Sequence, residues 1–257
     1  MQSNDSFTLA CGFNRTLLSL LTLCLALPAF AQTREQYFAR RNSFGVLGAY
    51  ANDSSHILLG DAEQRKLLSF GVSYSRRLFL DHIVNWQYDA EILPVALESD
   101  PLTKFVNQQT SPTPETFTGA GLPPMTNCAP IAFSYTFVES GVTYSGTQTY
   151  SCSGRQWTIG EAMSPVGLQW NFMPRAKTQP FLDAHGGYMY STHPIPIASS
   201  GSFNFTFDFG AGVELYRSLA QSVRVQYRYH HISNHNTALY NPGIDNGEIQ
   251  LSYVFGR

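Results

Sequence analysis

Polar and apolar residues alternate along several segments of the chain, and residues 203–209 show the pattern most clearly. Every second residue there is Phe, and the residues between them are Asn204, Thr206 and Asp208. A period of two places successive side chains on opposite faces of a β-strand. The pattern continues to residue 215 and recurs in residues 68–74, 84–89, 166–172, 223–230 and 249–253, and more weakly in 44–52 and 180–190. It predicts about eight strands of about 9 to 12 residues, typical of a small membrane barrel.

The links between these strands alternate in length. Short links follow the even strands, at about residues 78–82, 174–178 and 216–220, and longer links follow the odd strands, at about 53–65, 97–163, 191–202 and 232–247. Short periplasmic turns and long outer loops are typical of an even-stranded barrel with both chain ends in the periplasm. Residues 98–163 are interpreted as a long extracellular loop insertion, because their middle is polar and contains prolines.

Composition separates a membrane barrel from its alternatives. Charged residues make up 13% of the chain, about half the usual share for a soluble domain. No segment after the N-terminal region has the 18 or so consecutive apolar residues that suggest a spanning helix. A soluble barrel or sandwich would also alternate, but the predicted polar face here carries charges that suit a narrow lumen: Asp89, Glu91, Asp208, Glu214, Arg224 and Arg228. The predicted fold is all-β, an eight-stranded antiparallel transmembrane β-barrel.

The N-terminal region resembles an export signal. An apolar run over residues 16–27 follows Arg15 and ends in the A-x-A pattern of residues 29–31, which predicts a signal peptide over residues 1–31 and a barrel over 32–257. The run is too short for a spanning helix, although a membrane anchor is the alternative. A lipoprotein signal at Cys24 is disfavoured because Leu23 before it is not small.

Export leads to an oxidising compartment, where a disulfide is the expected state of the two remaining cysteines, Cys128 and Cys152. Closing a loop of about 25 residues would contribute about 3 kcal/mol in the chain-entropy model. The net charge of −2 gives no basic footprint, so nucleic acid is not an expected partner.

The seventh predicted strand ends in residues that can carry chemistry. Parity places His231 and Ser233 on the same outward face as Tyr229, whereas His230 faces the lumen. Residues two apart on a strand have Cα atoms about 6.6 to 6.8 Å apart. A neutral imidazole can take the proton of a serine hydroxyl while an acid orients the other ring nitrogen. Asp245, across the hairpin, is the first candidate for that acid. The reserve is Glu248, which shares the lumen-facing side with Gln250 and Ser252.

Residues 231–234, together with 241–245, resemble the active-site signature of the lipid A 3-O-deacylases, the PagL-type outer-membrane esterases. The resemblance implies an eight-stranded barrel with a triad on its membrane-facing wall. In that triad Ser233 would be the nucleophile, His231 the general base and Asp245 the acid. Asn241 would stabilise the oxyanion with help from a backbone N–H near Asn236, and Asn234 would complete the motif.

The chain departs from the family pattern at three places. Asp245 stands where the best-known members carry Glu, which shortens the carboxylate by one methylene. His235 and Asn236 stand where those members have Ala and Gly, which affects the backbone oxyanion donor. The long segment 97–163 is not required by the family pattern.

The resemblance implies an enzyme without a cofactor or metal that hydrolyses the ester-linked 3-hydroxyacyl chain at position 3 of lipid A. Its expected partners are lipid A or lipopolysaccharide and other membrane lipids, and its expected location is the outer membrane of a Gram-negative-type bacterium. Two other functions stay open: a non-enzymatic barrel that acts as an adhesin or structural anchor, and an outer-membrane phospholipase or acyltransferase. The acyl-chain preference and a possible homodimer are also open.

Overall fold

The computed structural model describes residues 36–257, and the predicted signal peptide, residues 1–31, lies outside the described residues. The strands are β1 (Asn42–Ala51), β2 (Lys66–Leu80), β3 (Val84–Ser111), β4 (Glu115–Thr118), β5 (Ile131–Glu139), β6 (Val142–Phe172), β7 (Thr178–Ser191), β8 (Phe203–Tyr216), β9 (Gln221–Ser233) and β10 (Ile244–Gly256). Between residues 36 and 257 no helix is long and apolar enough to cross a membrane.

Eight of the strands close into a ring. Each of them pairs antiparallel with its neighbours in the order β3-β2-β1-β10-β9-β8-β7-β6, and a further pairing of β3 with β6 closes the circle. Closure satisfies the backbone hydrogen bonds of all eight strands without leaving a sheet edge, as a membrane span requires. The predicted all-β, eight-stranded antiparallel barrel is therefore confirmed.

The two faces of the ring differ in chemistry. On β8 the side chains of Phe203, Phe205 and Phe207 are exposed, and those of Asn204 and Thr206 between them are buried. The same alternation around the ring exposes large apolar side chains, among them Phe44, Val46, Phe70, Val72, Trp86, Leu182, Val225, Tyr227, Ile249, Leu251 and Tyr253. An apolar band on the outside of a closed barrel is the surface that faces lipid.

Charged side chains fill the interior of the ring. Arg228 lies 2.8 Å from Asp208 and 3.0 Å from Glu91, and Arg224 lies 3.1 Å from Glu214. All five side chains are almost completely buried. Buried charges are tolerated when they are paired, and each of these five has at least one partner of opposite charge.

The segment predicted as a long loop is largely strand. β3 continues to Ser111, β6 begins at Val142, and β4 and β5 pair with their outer edges. We call β4, β5 and the parts of β3 and β6 within residues 98–163 the extension sheet. Apolar and polar residues also alternate in residues 131–138. This strand was not predicted, because the polar, Pro-containing residues before it indicated a loop. The predicted disulfide between Cys128 and Cys152 is present, with a Cα–Cα distance of 5.9 Å.

Short and long links emerge at opposite ends of the ring, as the sequence predicted. Residues 81–83, 173–177 and 217–220 form the short turns. The longer links include residues 52–65 between β1 and β2, which we call the β1–β2 loop, and residues 234–243 between β9 and β10. Strand β9 ends at the long-link end, so its last residues lie beside both of these loops.

Candidate active site

His231 and Asp245 face each other across the β9–β10 hairpin. The two residues are register partners in the antiparallel pair, and the Nδ1 atom of His231 lies 2.6 Å from the Oδ1 atom of Asp245. The carboxylate is fully buried, whereas 13% of the imidazole is exposed. Because a carboxylate can only accept a hydrogen bond, Nδ1 of His231 carries the ring proton. The other ring nitrogen, Nε2, is then left as an acceptor.

The carboxylate of Asp245 is held by further donors that the sequence analysis missed. The backbone N–H groups of Leu58 and Leu59, in the β1–β2 loop, donate to Oδ2 at 2.7 and 2.8 Å. The hydroxyl of Tyr229 donates to Oδ1 at 2.7 Å. Tyr229 could have been suspected because it shares the outward parity of His231, but a backbone donor leaves no signal in the sequence. Together with His231, these groups fix both oxygens of the carboxylate.

Ser233 lies one pleat beyond His231 on the same face of β9. The side-chain amide of Asn241 lies within hydrogen-bond distance of Ser233 Oγ, with Oδ1 at 3.2 Å and Nδ2 at 3.0 Å. The backbone N–H of His235 donates to the same oxygen at 3.1 Å. The structure records no hydrogen bond between Ser233 and His231, both of which are described. Ser233 is partly exposed, so its hydroxyl is free to turn towards the imidazole.

The turn after β9 presents these donors. His235 and Asn236 have φ angles of 51° and 59°, in the left-handed region that His and Asn enter more readily than most residues. The backbone N–H of Asn236 donates to Asn234 Oδ1 at 2.9 Å and does not contact Ser233. Of the backbone N–H groups near Asn236, that of His235 is the one bonded to Ser233 Oγ.

Asn234 is buried and supports the turn. Its Nδ2 atom donates to the carbonyl oxygens of Tyr240, at 2.7 Å, and of Ser200. Its own backbone N–H donates to Asn241 Oδ1 at 3.0 Å. That bond orients the Asn241 amide with its oxygen towards the backbone and leaves Nδ2 as the donor nearest Ser233.

Glu248, the reserve candidate for the acid, lies on the other face of β10. It is buried in the lumen, 4.0 Å from the Nδ1 atom of His230. Parity correctly placed both residues inside the barrel. The geometry favours Asp245 over Glu248 as the partner of His231.

The His231 and Ser233 side chains open onto a groove on the lipid-facing wall. Phe207 is the β8 register partner of His231, and Phe205 is that of Ser233. Leu59 from the β1–β2 loop lies on the remaining side. Thr206 and His235 complete the lining, and the three large apolar side chains suit an acyl chain rather than a charged solute.

A possible metal-ligand group lies away from this groove, inside the barrel. Ligand atoms of Asp89, Glu91 and His185 lie within 4.8 Å of one another. Arg228 pairs with Glu91 at 3.0 Å, and Arg224 lies 3.7 Å from Asp89. The two arginines already compensate the carboxylates, and the group has no contact with Ser233.

The fold and this site define an outer-membrane β-barrel that carries serine, histidine and aspartate side chains on its lipid-facing wall. Residues 130–254 match the family model described as lipid A 3-O-deacylase (PagL). These residues include Ser233, His231 and Asp245, so the part of the chain that carries the site is similar to the PagL family. The resemblance seen in the sequence is thereby confirmed.

Comparison with solved structures finds other outer-membrane barrels. The outer-membrane enzyme PagL is 14% identical, covers 83% of this chain and 99% of its own, and has a TM-score of 0.47. Neisserial surface protein A (NspA) is 13% identical, with coverage of 84% and 97% and a TM-score of 0.40. OprG from Pseudomonas aeruginosa is 9% identical, with coverage of 86% and 100% and a TM-score of 0.39. No curated protein matches the chain.

Proposed function

We propose that this protein is an outer-membrane esterase that hydrolyses the ester-linked 3-hydroxyacyl chain at position 3 of lipid A. The observation that carries the proposal is the His231–Asp245 hydrogen bond of 2.6 Å on the lipid-facing wall, one pleat from Ser233. A nucleophile on the outside of a barrel can reach only substrates that are themselves membrane lipids. The PagL family match over residues 130–254 supports lipid A as that lipid.

In the proposed mechanism, Ser233 Oγ attacks the ester carbonyl carbon while its proton moves to Nε2 of His231. Asp245 holds the Nδ1–H of the ring and stabilises the imidazolium that forms. Collapse of the tetrahedral intermediate breaks the bond to the sugar oxygen, which takes the proton back from Nε2. Water, activated by the same imidazole, then hydrolyses the acyl-serine and releases a free 3-hydroxy fatty acid.

The oxyanion of the tetrahedral intermediate would lie between two donors. Asn241 Nδ2 and the backbone N–H of His235 lie 3.0 and 3.1 Å from Ser233 Oγ, so both lie close to the carbonyl oxygen of an attached acyl group. Each such donor is worth about 2.7 to 4 kcal/mol in related acyl-transfer enzymes. The N–H of His235 would then be the backbone donor near Asn236 that the family resemblance implies.

The acyl chain would lie along the groove between Phe205, Phe207 and Leu59. These side chains are about half exposed or more, and they continue the apolar wall of β8. In this arrangement the long-link end of the barrel faces the cell exterior, which puts Ser233 at the level of the outer leaflet. The extension sheet, within residues 98–163, would then project from the cell surface, and residues 1–31 would be the export signal that is removed.

Mass spectrometry of lipid A tests the proposal. Expression of the full chain in a Gram-negative host with a known lipid A should remove one 3-hydroxyacyl chain, and fragmentation should locate the loss at position 3. The Ser233→Ala variant should lose this activity and still form a heat-modifiable barrel. Ser134→Ala, at an exposed position of β5, is the matched control and should retain activity.

Other outcomes would assign a different function. Unchanged lipid A with altered phospholipids would indicate a phospholipase. Unchanged lipids of both kinds, with a correctly assembled barrel, would indicate an adhesin or a structural barrel. Loss of an acyl chain from another position would retain the deacylase and refute only the 3-position.

A further inference from the structure

The β1–β2 loop is bound directly to the acid of the site. Besides the two N–H groups that bind the Asp245 carboxylate, the backbone N–H of Ser55 donates to the Asp245 carbonyl at 3.2 Å. Gly60 packs against the same residue, because a Cβ at position 60 would lie 2.6 Å from the Asp245 nitrogen. Real Cβ atoms do not approach backbone so closely. The loop is therefore shaped to cover this one carboxylate.

Further bonds fix the loop on either side of its tip. The backbone N–H groups of Asp61 and Ala62 donate to the carbonyls of Pro242 and Gly243, at 2.5 and 3.0 Å. The Nδ1 atom of His56 lies 2.7 Å from the carbonyl of Gly60, which closes the tip into a compact turn. The tip is therefore hydrogen-bonded to the residues directly before β10, where Asp245 lies.

The outer surface of the tip is apolar. Ile57, Leu58 and Leu59 follow one another, and their side chains are 45%, 58% and 65% exposed. Leu59 also lines the groove with Phe207 and His231. Leu59 thus continues the lipid-facing wall beside β8 and β9, and Ile57 and Leu58 are exposed next to it in the chain. A run of exposed apolar side chains that continues a membrane-facing surface fits the hydrocarbon of the outer leaflet.

We propose that residues 57–60 are a lipid-anchored positioning element of the active site. Insertion of Ile57, Leu58 and Leu59 into the outer leaflet holds the loop tip in place. The tip then holds the N–H groups of Leu58 and Leu59 on Asp245, and Asp245 orients His231. These residues do not touch the reacting atoms and act through the acid. The inference rests on the proposed esterase function.

One test measures kinetics on a pair of glycine variants reconstituted in bilayers with lipid A. Gly60→Ala pushes the loop from Asp245, whereas a Cβ at Gly186, on β7, meets nothing within 4 Å. We expect Gly60→Ala to lower kcat on the order of 10- to 100-fold with KM nearly unchanged, because small misplacements of catalytic groups are costly. Gly186→Ala should behave as wild type. A kcat for Gly60→Ala within about twofold of wild type would overturn the positioning role.

A second test measures insertion without any activity. A nitroxide on Leu58→Cys should be accessible to oxygen and shielded from a water-soluble nickel complex in lipid A bilayers. The same label on Thr113→Cys, an exposed position between β3 and β4, should show the opposite. A label at position 58 that is open to the nickel complex would refute the anchoring. If wild type removes no acyl chain, the proposed function fails, and this measurement still decides whether the tip enters the bilayer.

Discussion

Replacing Asp245 by Asn removes the charge behind His231 with almost no change in volume. The carboxylate accepts hydrogen bonds on both oxygens, from Leu58 and Leu59 on one and from Tyr229 and His231 on the other. An amide has only one accepting oxygen, so one of these pairs must face an NH₂ group. If the NH₂ faces His231, it donates to Nδ1 and moves the ring proton to Nε2, where the general base is needed. If it faces the loop, the two backbone donors are repelled.

Either orientation would damage the proposed triad, so Asp245→Asn should lower kcat on the order of 10⁴-fold, as an equivalent change does in a serine protease triad. That factor corresponds to about 5 kcal/mol of lost transition-state stabilisation. The assay is the initial rate of acyl release from purified lipid A in mixed micelles, quantified by mass spectrometry. A Glu248→Gln variant controls for loss of a carboxylate on β10, because Glu248 lies in the lumen.

The outcome decides whether Asp245 or Glu248, both on β10, is the acid that acts with His231. We expect Glu248→Gln to remain within a few-fold of wild type. Asp245→Asn retaining more than a tenth of the wild-type rate would contradict the role of the 2.6 Å hydrogen bond. If Glu248→Gln lost activity and Asp245→Asn retained it, Glu248 in the lumen would be the acid of the triad. The site as described would then be refuted.

Three further predictions concern other parts of the molecule. Asn241→Ala should lower kcat about 10²- to 10³-fold in the same assay, because it removes an oxyanion donor; an unchanged rate would exclude that role. The Cys128→Ser/Cys152→Ser variant should lose about 3 kcal/mol of unfolding free energy in urea. It should keep its activity, because the bond from Cys128 to the β1–β2 loop is made by its backbone N–H, to Gln64 Oε1 at 2.8 Å, and serine retains that group. Hydrogen bonds from the backbone N–H groups of Val84 and Ile83 lower the pKa of Asp81. The stability that these bonds give is present above the unfolded pKa of about 3.9 and is lost as pH falls through the lower folded pKa. Acid titration of Asp81→Asn should therefore show less loss of stability than wild type between pH 5 and 2.

The barrel could be predicted because alternation reports which face of a strand meets lipid. Residues 203–209 predicted the exposed and buried faces of β8 correctly, and the short links predicted where hairpins close. The extension sheet was missed because both of its faces are largely solvated, so burial does not enforce a strict pattern on residues 98–163. Strand β5 does alternate, but its side chains are nearly all exposed, and the polar, Pro-containing residues before it favoured a loop.

Some parts of the site could be predicted from the sequence and others could not. Parity and hairpin register follow from the strand pattern, and they brought His231, Ser233 and Asp245 to one face. The β1–β2 loop could not be predicted as part of the site, because its contribution is made by backbone N–H groups whose presence does not depend on the side chain. Which backbone N–H near Asn236 lies beside Ser233 depends on the φ angles of the turn, which local sequence leaves undetermined.

The filled interior has a consequence for permeability. Arg228 and Arg224 form ion pairs with carboxylates from several strands inside the barrel. These buried side chains occupy the space through which water and ions would have to pass. Such a barrel should produce no conductance steps in a planar bilayer, unlike a porin of open bore. The cell could therefore display this protein in large amounts on its surface without leaking nutrients or admitting antibiotics through it.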